Sequence, residues 1–383
     1  MNHKVKDIQQ LNIGLLGGGQ LGRMLIQEAI NWNLHIAVLD PSFDAPCAHL
    51  THEFINADFR DYESVYAFGK NKDIVTIEFE DVNVDALEQL EKEGVQVFPQ
   101  PAVLKIIKDK GAQKEFYKQH QIPTAPYALV QKIDEINNCG ISFPCFQKIR
   151  KGGYDGYGVK KLRNKESIIN AFDAPSVIEE MADLITELSV IVARNSNGEI
   201  KTFPLVNMSF NPESNMVQFL FSPAGIPAHI EQQAADWAKK IIEALEMVGI
   251  LAVELFYTQQ GEIWVNEIAP RPHNSGHHTI EANLCSQYEQ HLRAICNLPL
   301  ADTDALSPAA MVNITGEKDF TGIPHYEGLK ETLRIKGAFV HLYGKKQTKP
   351  YRKMGHVTLL APTIEEVQFQ AKKVLNTLKV KSI

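Results

Sequence analysis

An α/β region followed by an α+β region is the fold class that the sequence predicts, and three observations predict it. Residues 12–110 alternate strand and helix signals, the order that builds a parallel sheet covered by helices on both faces. Beyond Lys110 the strands come in pairs, broken by glycines and with few helices between them, an antiparallel habit. In that second region two strands, Leu251 to Tyr257 and Glu262 to Ala269, meet at Gln259-Gln260-Gly261 and carry acids on one face. A two-residue turn at Gln260-Gly261 sets Glu254 opposite Glu267, and two facing carboxylates destabilise a sheet unless a cation sits between them.

The elements follow in order. Ile13 to Leu16 is a strand, the glycine turn after it opens a helix from Leu21 to Asn31, and His35 to Leu39 is the next strand. A further strand and helix fall around Phe54 to Lys70, then a strand Ile74 to Phe79, a helix Val84 to Glu93 and a strand Val95 to Phe98. A helix Ala112 to Gln119 precedes the loop Ile122 to Pro126. The strands expected after it are Cys145 to Ile149, Gly158 to Leu162, Val177 to Glu180, Glu187 to Ala193 and Phe203 to Leu205. A helix Glu289 to Ile295 closes this region. The tail has strands Ala310 to Ile314, Ala338 to Leu342 and Gly355 to Leu360, a basic loop Gly344 to Lys353 and a helix Thr363 to Leu375; it is too small for a sizeable core and is expected to pack on the first domain.

Composition narrows the function classes. A chain of 383 residues with 44% hydrophobic and 22% charged residues is an ordinary globular protein of about two or three domains. The net charge of -7 argues against nucleic acid as a partner. Five cysteines without CxxC spacing point to neither a disulfide framework nor a zinc site, and no stretch reaches membrane-spanning length, so a cytoplasmic setting is expected.

Several motifs carry chemistry. Gly17-Gly18-Gly19-Gln20-Leu21-Gly22 after a strand, with Asp40 ending the next, nearly matches a dinucleotide fingerprint; a tight turn or a phosphate site for another ligand fits it as well. The run Lys151 to Gly158 has four glycines whose amides are free to fold over phosphate oxygens, with Lys148 nearby to supply charge; a plain surface hairpin is the rival. Glu179-Glu180-Met181-Ala182, with Glu187 beyond, sits at a strand exit suited to an adenine edge and a ribose. Asn266 alternates to the opposite face from Glu267 and reaches a shared cation only if the strand breaks. Arg271 has the planar fork for bicarbonate or phosphate, His273 follows it, and Lys345, Lys346, Lys349, Arg352 and Lys353 form a basic loop.

Taken together, GGYDGYG, EEMA, VELF, VNEIAPRPHNSGHH and RKMGH resemble the N5-carboxyaminoimidazole ribonucleotide synthetase family, the purine-biosynthesis branch of the ATP-grasp superfamily, over nearly the whole chain. The resemblance implies an ATP-grasp fold with a parallel-sheet pre-ATP-grasp domain at 1–110, the ATP-grasp domain at 111–300 with a lid at about 122–183, and a small β-rich domain at 301–383. It implies a ligase that uses ATP, Mg2+ and bicarbonate to carboxylate 5-aminoimidazole ribonucleotide through carboxyphosphate. A formate-dependent glycinamide ribonucleotide transformylase is the nearest alternative.

The same resemblance places Lys110 and Lys148 on the ATP phosphates, with Gly153, Tyr154, Asp155, Gly156 and Gly158 closing over them. Glu179, Glu180, Met181 and Ala182 surround adenine, Glu187 meets the ribose, Glu254 and Glu267 hold Mg2+, and Asn266 lies beside them. Arg271, His273, Asn274 and Tyr154 are implied in catalysis. Gln20, Leu21, Glu78, His273, Lys345 and Arg352 are implied in holding the ribonucleotide. Two departures stand out: Asp109-Lys110 where the family commonly has Asp-Arg, and Phe210 near a position where a histidine can occur. A homodimer, and transient handover of product to the carboxyaminoimidazole ribonucleotide mutase, are also implied.

Overall fold

The computed structural model describes residues 7–51, 53–153, 157–211 and 216–383. Its first sheet is parallel and five-stranded, in the order Phe54–Asn56, Ile36–Asp40, Ile13–Leu16, Ile74–Ile77, Gln96–Phe98. The three inner strands are apolar and buried along their length because helices cover both faces, as the alternating pattern requires. Chain order reverses between Ile13–Leu16 and Ile74–Ile77. Their carboxyl ends therefore open a crevice in which α/β sheets bind ligands. The glycine turn leaves one of these ends and Glu78 stands at the other.

Two more sheets follow. Tyr127–Val130, Ser176–Glu180, Cys145–Ile149 and Val159–Leu162 form a four-stranded antiparallel sheet in that spatial order. A nine-stranded sheet has as its longest pair Leu184–Arg194 and Gly249–Thr258, which lie beside its edge strand Ile263–Ala269. Glu180 to Leu184 is the short connection between the two sheets, so the cleft between them is hinged there.

Three expectations are corrected. The tail does not rest mainly on the first domain: Ala309–Thr315 pairs with Val217–Ser222 and so extends the nine-stranded sheet. Its strands and the helix Ile364–Thr377 bury their own cluster, including Val312, Val357, Val367 and Val374, against Phe219 and Phe221. The second region is also less helix-poor than expected. Ala228–Ala244 is a 17-residue helix whose Ile230, Ala234, Ala238, Ile241 and Ile242 recur at helical spacing and bury against the two long strands. Finally, Phe203 to Leu205 is not a strand. Pro204 lacks the donor a ladder needs, and the chain pairs on either side of it, at Ile200–Thr202 and Val206–Phe210.

Candidate active site

Glu254 does face Glu267, by a route other than the expected two-residue turn. The turn holds three residues: the Thr258 amide donates to the Glu262 carbonyl at 3.0 Å, the Gly261 amide donates to the Thr258 carbonyl at 2.9 Å, and Gly261 takes φ +80°. That geometry requires glycine. Pairing from Tyr257–Ile263 to Leu255–Val265 is accordingly offset by one residue, and a bulge at Asn266 restores the register at Glu254–Glu267. The bulge also redirects Asn266, whose Oδ1 accepts a 2.8 Å hydrogen bond from Lys148 Nζ. This is the strand break that lets Asn266 join the acids.

Three lysines converge on the cleft. Lys110 Nζ pairs with Glu267, and Lys148 and Lys114 bond the two oxygens of Glu179 at 2.7 and 2.9 Å. Lys114 was not anticipated; it lies four residues after Lys110 on the helix Lys110–Gln119, a spacing that puts both on one face. Lys114 and Glu179 are only 2% and 4% exposed, so their charges have little water to lean on. Burial pushes Glu179 towards neutrality, but Lys148 and Lys114 outweigh it and hold the carboxyl at about 2. Burial and the neighbouring lysines push Lys114 down even though it is paired. One carboxylate thus compensates two ammonium groups incompletely, leaving a positive excess for a polyanion.

The acids behave asymmetrically. Lys110 holds Glu267 well below the usual carboxylate range, whereas burial and then the Glu267 charge push Glu254 well above it. Burial likewise raises Glu187 to about 7. His273 Nε2 approaches Glu254 Oε1 at 3.6 Å, and the charge of Lys353, from the basic carboxyl-terminal segment, opposes the upward shift of Glu254.

At the lid, Gly158 has φ +80° and a Cβ there would meet Ile149 at 2.5 Å, so glycine is required on packing and conformational grounds. Gly153 approaches the Tyr157 carbonyl. Tyr154, Asp155 and Gly156 lie outside the described residues. Glu180, Met181 and Ala182 form the hinge, with Glu180 exposed and the other two half-buried. Asp109 caps the helix through the Gly111 and Ala112 amides and receives a two-pronged bond from Arg150, Nε at 2.8 Å and Nη2 at 2.7 Å. The fork absent from position 110 is thus supplied to Asp109 by Arg150. Phe210 is half-buried, packed with Val206 and Met208, and offers no polar group.

On the crevice side, Arg271 Nη2 bonds Glu80 at 2.9 Å, linking the bulged strand to the parallel sheet, while its buried Nε has no partner among the described residues. Glu78 accepts the Leu21 amide at 3.2 Å and packs on the glycine turn so closely that a Cβ on Gly19 would lie 2.4 Å from its Oε1. Burial raises Glu78, opposed by the charges of Arg271 and Lys345. Lys345 donates to the Lys353 carbonyl at 2.7 Å and Arg352 to the Gln347 carbonyl at 2.9 Å, which order the basic loop beside this crevice. Gln20 begins the helix Gln20–Asn31. Asn274 is buried and bonded to Asn313, each side-chain amide donating to the other's oxygen at 2.8 Å. Its amide therefore ties the loop to the carboxyl-terminal sheet.

The dinucleotide reading of the glycine turn fails on Asp40. Both its oxygens are taken by backbone, Oδ2 by the Gly18 amide at 2.7 Å and Oδ1 by the Ser42 amide at 2.8 Å, so it braces the turn and offers no carboxylate to a ribose.

A hinged pair of antiparallel sheets closing over lysines and opposed acids, beside a parallel-sheet crevice, defines an ATP-grasp enzyme, and residues 115–288 match the ATP-grasp domain family. Residues 11–108 match the ribonucleotide synthetase preATP-grasp domain, and residues 309–370 match the phosphoribosylaminoimidazole carboxylase C-terminal domain. Because the chain is also 38% identical over 373 residues to the N5-carboxyaminoimidazole ribonucleotide synthase of Bacillus subtilis, covering 95% of each, it belongs to the N5-carboxyaminoimidazole ribonucleotide synthase family. It is similar to the crystal structure of the Thermotoga maritima synthetase, with a TM-score of 0.91 and 43% identity over 98% of this chain and 100% of that one. The Aspergillus clavatus synthase, solved in complex with ADP and 5-aminoimidazole ribonucleotide, matches with a TM-score of 0.89 and 30% identity over 97% of this chain and 100% of that one.

Proposed function

We propose that the protein carboxylates 5-aminoimidazole ribonucleotide at its exocyclic amine, using ATP and bicarbonate. The observation that carries the reading is the meeting, across one cleft, of the lysine-rich hinge between the antiparallel sheets and the switch-point crevice of the parallel sheet, joined by Arg271 and Glu80. A substrate crevice and a phosphate site that share an arginine suit transfer of a phosphorylated anion to an amine.

In this reading ATP lies at the hinge of residues 180–184, with Lys110 and Lys148 on its phosphates and the 153–158 loop above them. Lys114 keeps Glu179, and through it Lys148, in place. Glu254 and Glu267 fit Mg2+: they oppose each other inside the cleft, where Lys110 pairs with Glu267 alone among the two, and two carboxylates leave positions for phosphate oxygens and water. When bound, the ion neutralises phosphoryl charge.

Arg271 presents bicarbonate, whose oxygen attacks the γ-phosphorus. ADP leaves, and the carboxyphosphate formed gives its carboxyl group to the amine as inorganic phosphate departs. The crevice of Gln20, Leu21 and Glu78 holds the ribonucleotide, and Lys345 and Arg352 meet its 5'-phosphate. Positioning contributes more than acid–base chemistry here, because the reacting atoms must be held about 3–3.5 Å apart while water is excluded.

The domain division at about 110 and 300, a homodimer, and transient handover to the mutase belong to the same proposal, to be checked by limited proteolysis, sedimentation and transient kinetics. A cytoplasmic setting accords with five free thiols, and no helix among the described residues is long and apolar enough to cross a membrane. The function is tested by following ADP release while ATP, bicarbonate and aminoimidazole ribonucleotide are omitted in turn. Dependence on all three is expected; stimulation by formate or by glycinamide ribonucleotide instead would assign the chain to another ligase.

A further inference from the structure

His273 sits in a circuit that its own loop and a neighbouring strand complete. Its Nδ1 lies 2.9 Å from Ser275 Oγ and accepts the Ser275 backbone amide at 3.3 Å. Ser275 Oγ lies 2.8 Å from Ser189 Oγ. Ser189 belongs to the strand Leu184–Arg194, where its register partner is Glu254, the residue that His273 Nε2 approaches at 3.6 Å. The chain of groups therefore returns to the acid pair from which the cleft is built. Both serines are 1% exposed, so neither hydroxyl exchanges its partner for bulk water.

The Ser275 backbone amide gives these bonds a direction. A backbone N–H only donates, so Nδ1 carries a lone pair and the neutral ring bears its proton on Nε2. The Ser275 hydroxyl then donates to Nδ1 and accepts from Ser189. With Nδ1 occupied twice, the ring cannot flip without breaking both bonds and stranding the buried Ser275 hydroxyl's proton. The Nε2–H is left aimed at Glu254.

We propose that Ser189 and Ser275 are positioning residues for the carboxylation: they lock His273 in the Nε2–H tautomer and hold it against the Glu254 carboxylate. The role rests on the proposed function for its catalytic meaning, but the tautomer itself does not. Outer partners of this kind typically change activity about 10–100-fold when removed.

The test reads both levels. In the full-length protein labelled with 15N-histidine, the His273 signals are assigned by their loss in His273→Gln. An unprotonated Nδ1 and a protonated Nε2 are expected. Ser275→Ala leaves only the 3.3 Å amide contact, so a second tautomer becomes populated, and Ser189→Thr, which keeps the hydroxyl, preserves the single form. A protonated Nδ1 in the native protein, or a tautomer indifferent to Ser275→Ala, overturns the proposal whatever the enzyme carboxylates. In ribonucleotide-dependent ADP release, Ser189→Ala and Ser275→Ala each lower kcat about 10-fold with the ATP KM within about twofold, and the double variant is no worse than Ser275→Ala. Additive losses, or equal losses in the His273→Gln background, would mean that the serines act on packing and not through the imidazole.

Discussion

Replacing Glu179 by Gln removes the one carboxylate shared by Lys114 and Lys148 while keeping its shape. Lys114 and the acid are buried and Lys148 is largely so, and the change takes from both ammonium groups the counter-charge they share. The folded carboxyl lies at about 2 against an ordinary 4.5, which corresponds to roughly 3 kcal/mol of stabilisation at neutral pH, within the range of about 3–5 kcal/mol for breaking a buried pair. For 383 residues unfolding as one unit, that is a fall of about 4 °C in Tm. The sign with pH is equally specific. A depressed carboxyl contributes its full stability above 4.5 and loses it as pH falls towards 2, at about 1.4 kcal/mol per unit. Urea denaturation of both proteins at pH 7 and pH 3.5 should therefore show a gap of about 3 kcal/mol that narrows by about 1.4 kcal/mol. A gap that is absent at pH 7, or that stays constant down to pH 3.5, refutes the buried three-charge cluster.

Other substitutions address the crevice and the bicarbonate site. Gly19→Ala places a methyl group against Glu78 and should cost about 1–3 kcal/mol in thermal unfolding, a loss that Glu78→Ala in the same chain relieves. Arg352→Ala should raise the ribonucleotide KM about tenfold or more with little change in kcat; steady-state kinetics with an unchanged KM would reject its phosphate contact. Arg271→Ala should weaken bicarbonate use and also uncouple the reaction, seen as ADP released in excess of ribonucleotide consumed.

Much of this was legible in the sequence because local rules govern it. Ile13 to Leu16 and Cys145 to Ile149 fall where their apolar runs and flanking glycines put them. The acid pair was legible only in outcome. A three-residue turn and the bulge at Asn266 offset each other, and neither is written in the alternation of the strand. Helix Ala228–Ala244 carries a local signal in the spacing of Ile230, Ala234, Ala238 and Ile241, although the strand-rich pattern around it masks that signal. Lys114 is different: a lysine in a polar helix reads as solvated, and only the tertiary approach of Glu179 reveals its charge as buried. The tail's union with the central sheet was equally hidden, since strand partners far apart in sequence leave no local mark. Asp40 shows the reverse, a local motif with a plausible ligand role that the fold assigns to its own backbone.

The proposed function requires ATP to activate bicarbonate in this cleft for transfer to aminoimidazole ribonucleotide. Turnover in 18O-labelled bicarbonate tests it most directly, because the oxygen that attacks the γ-phosphorus must leave with phosphate when the amine takes the carboxyl group. One bicarbonate-derived oxygen in the inorganic phosphate, formed in step with the carboxylated ribonucleotide, is the predicted result. Carboxylated product accompanied by unlabelled phosphate, or labelled phosphate formed without any requirement for the ribonucleotide, would contradict it.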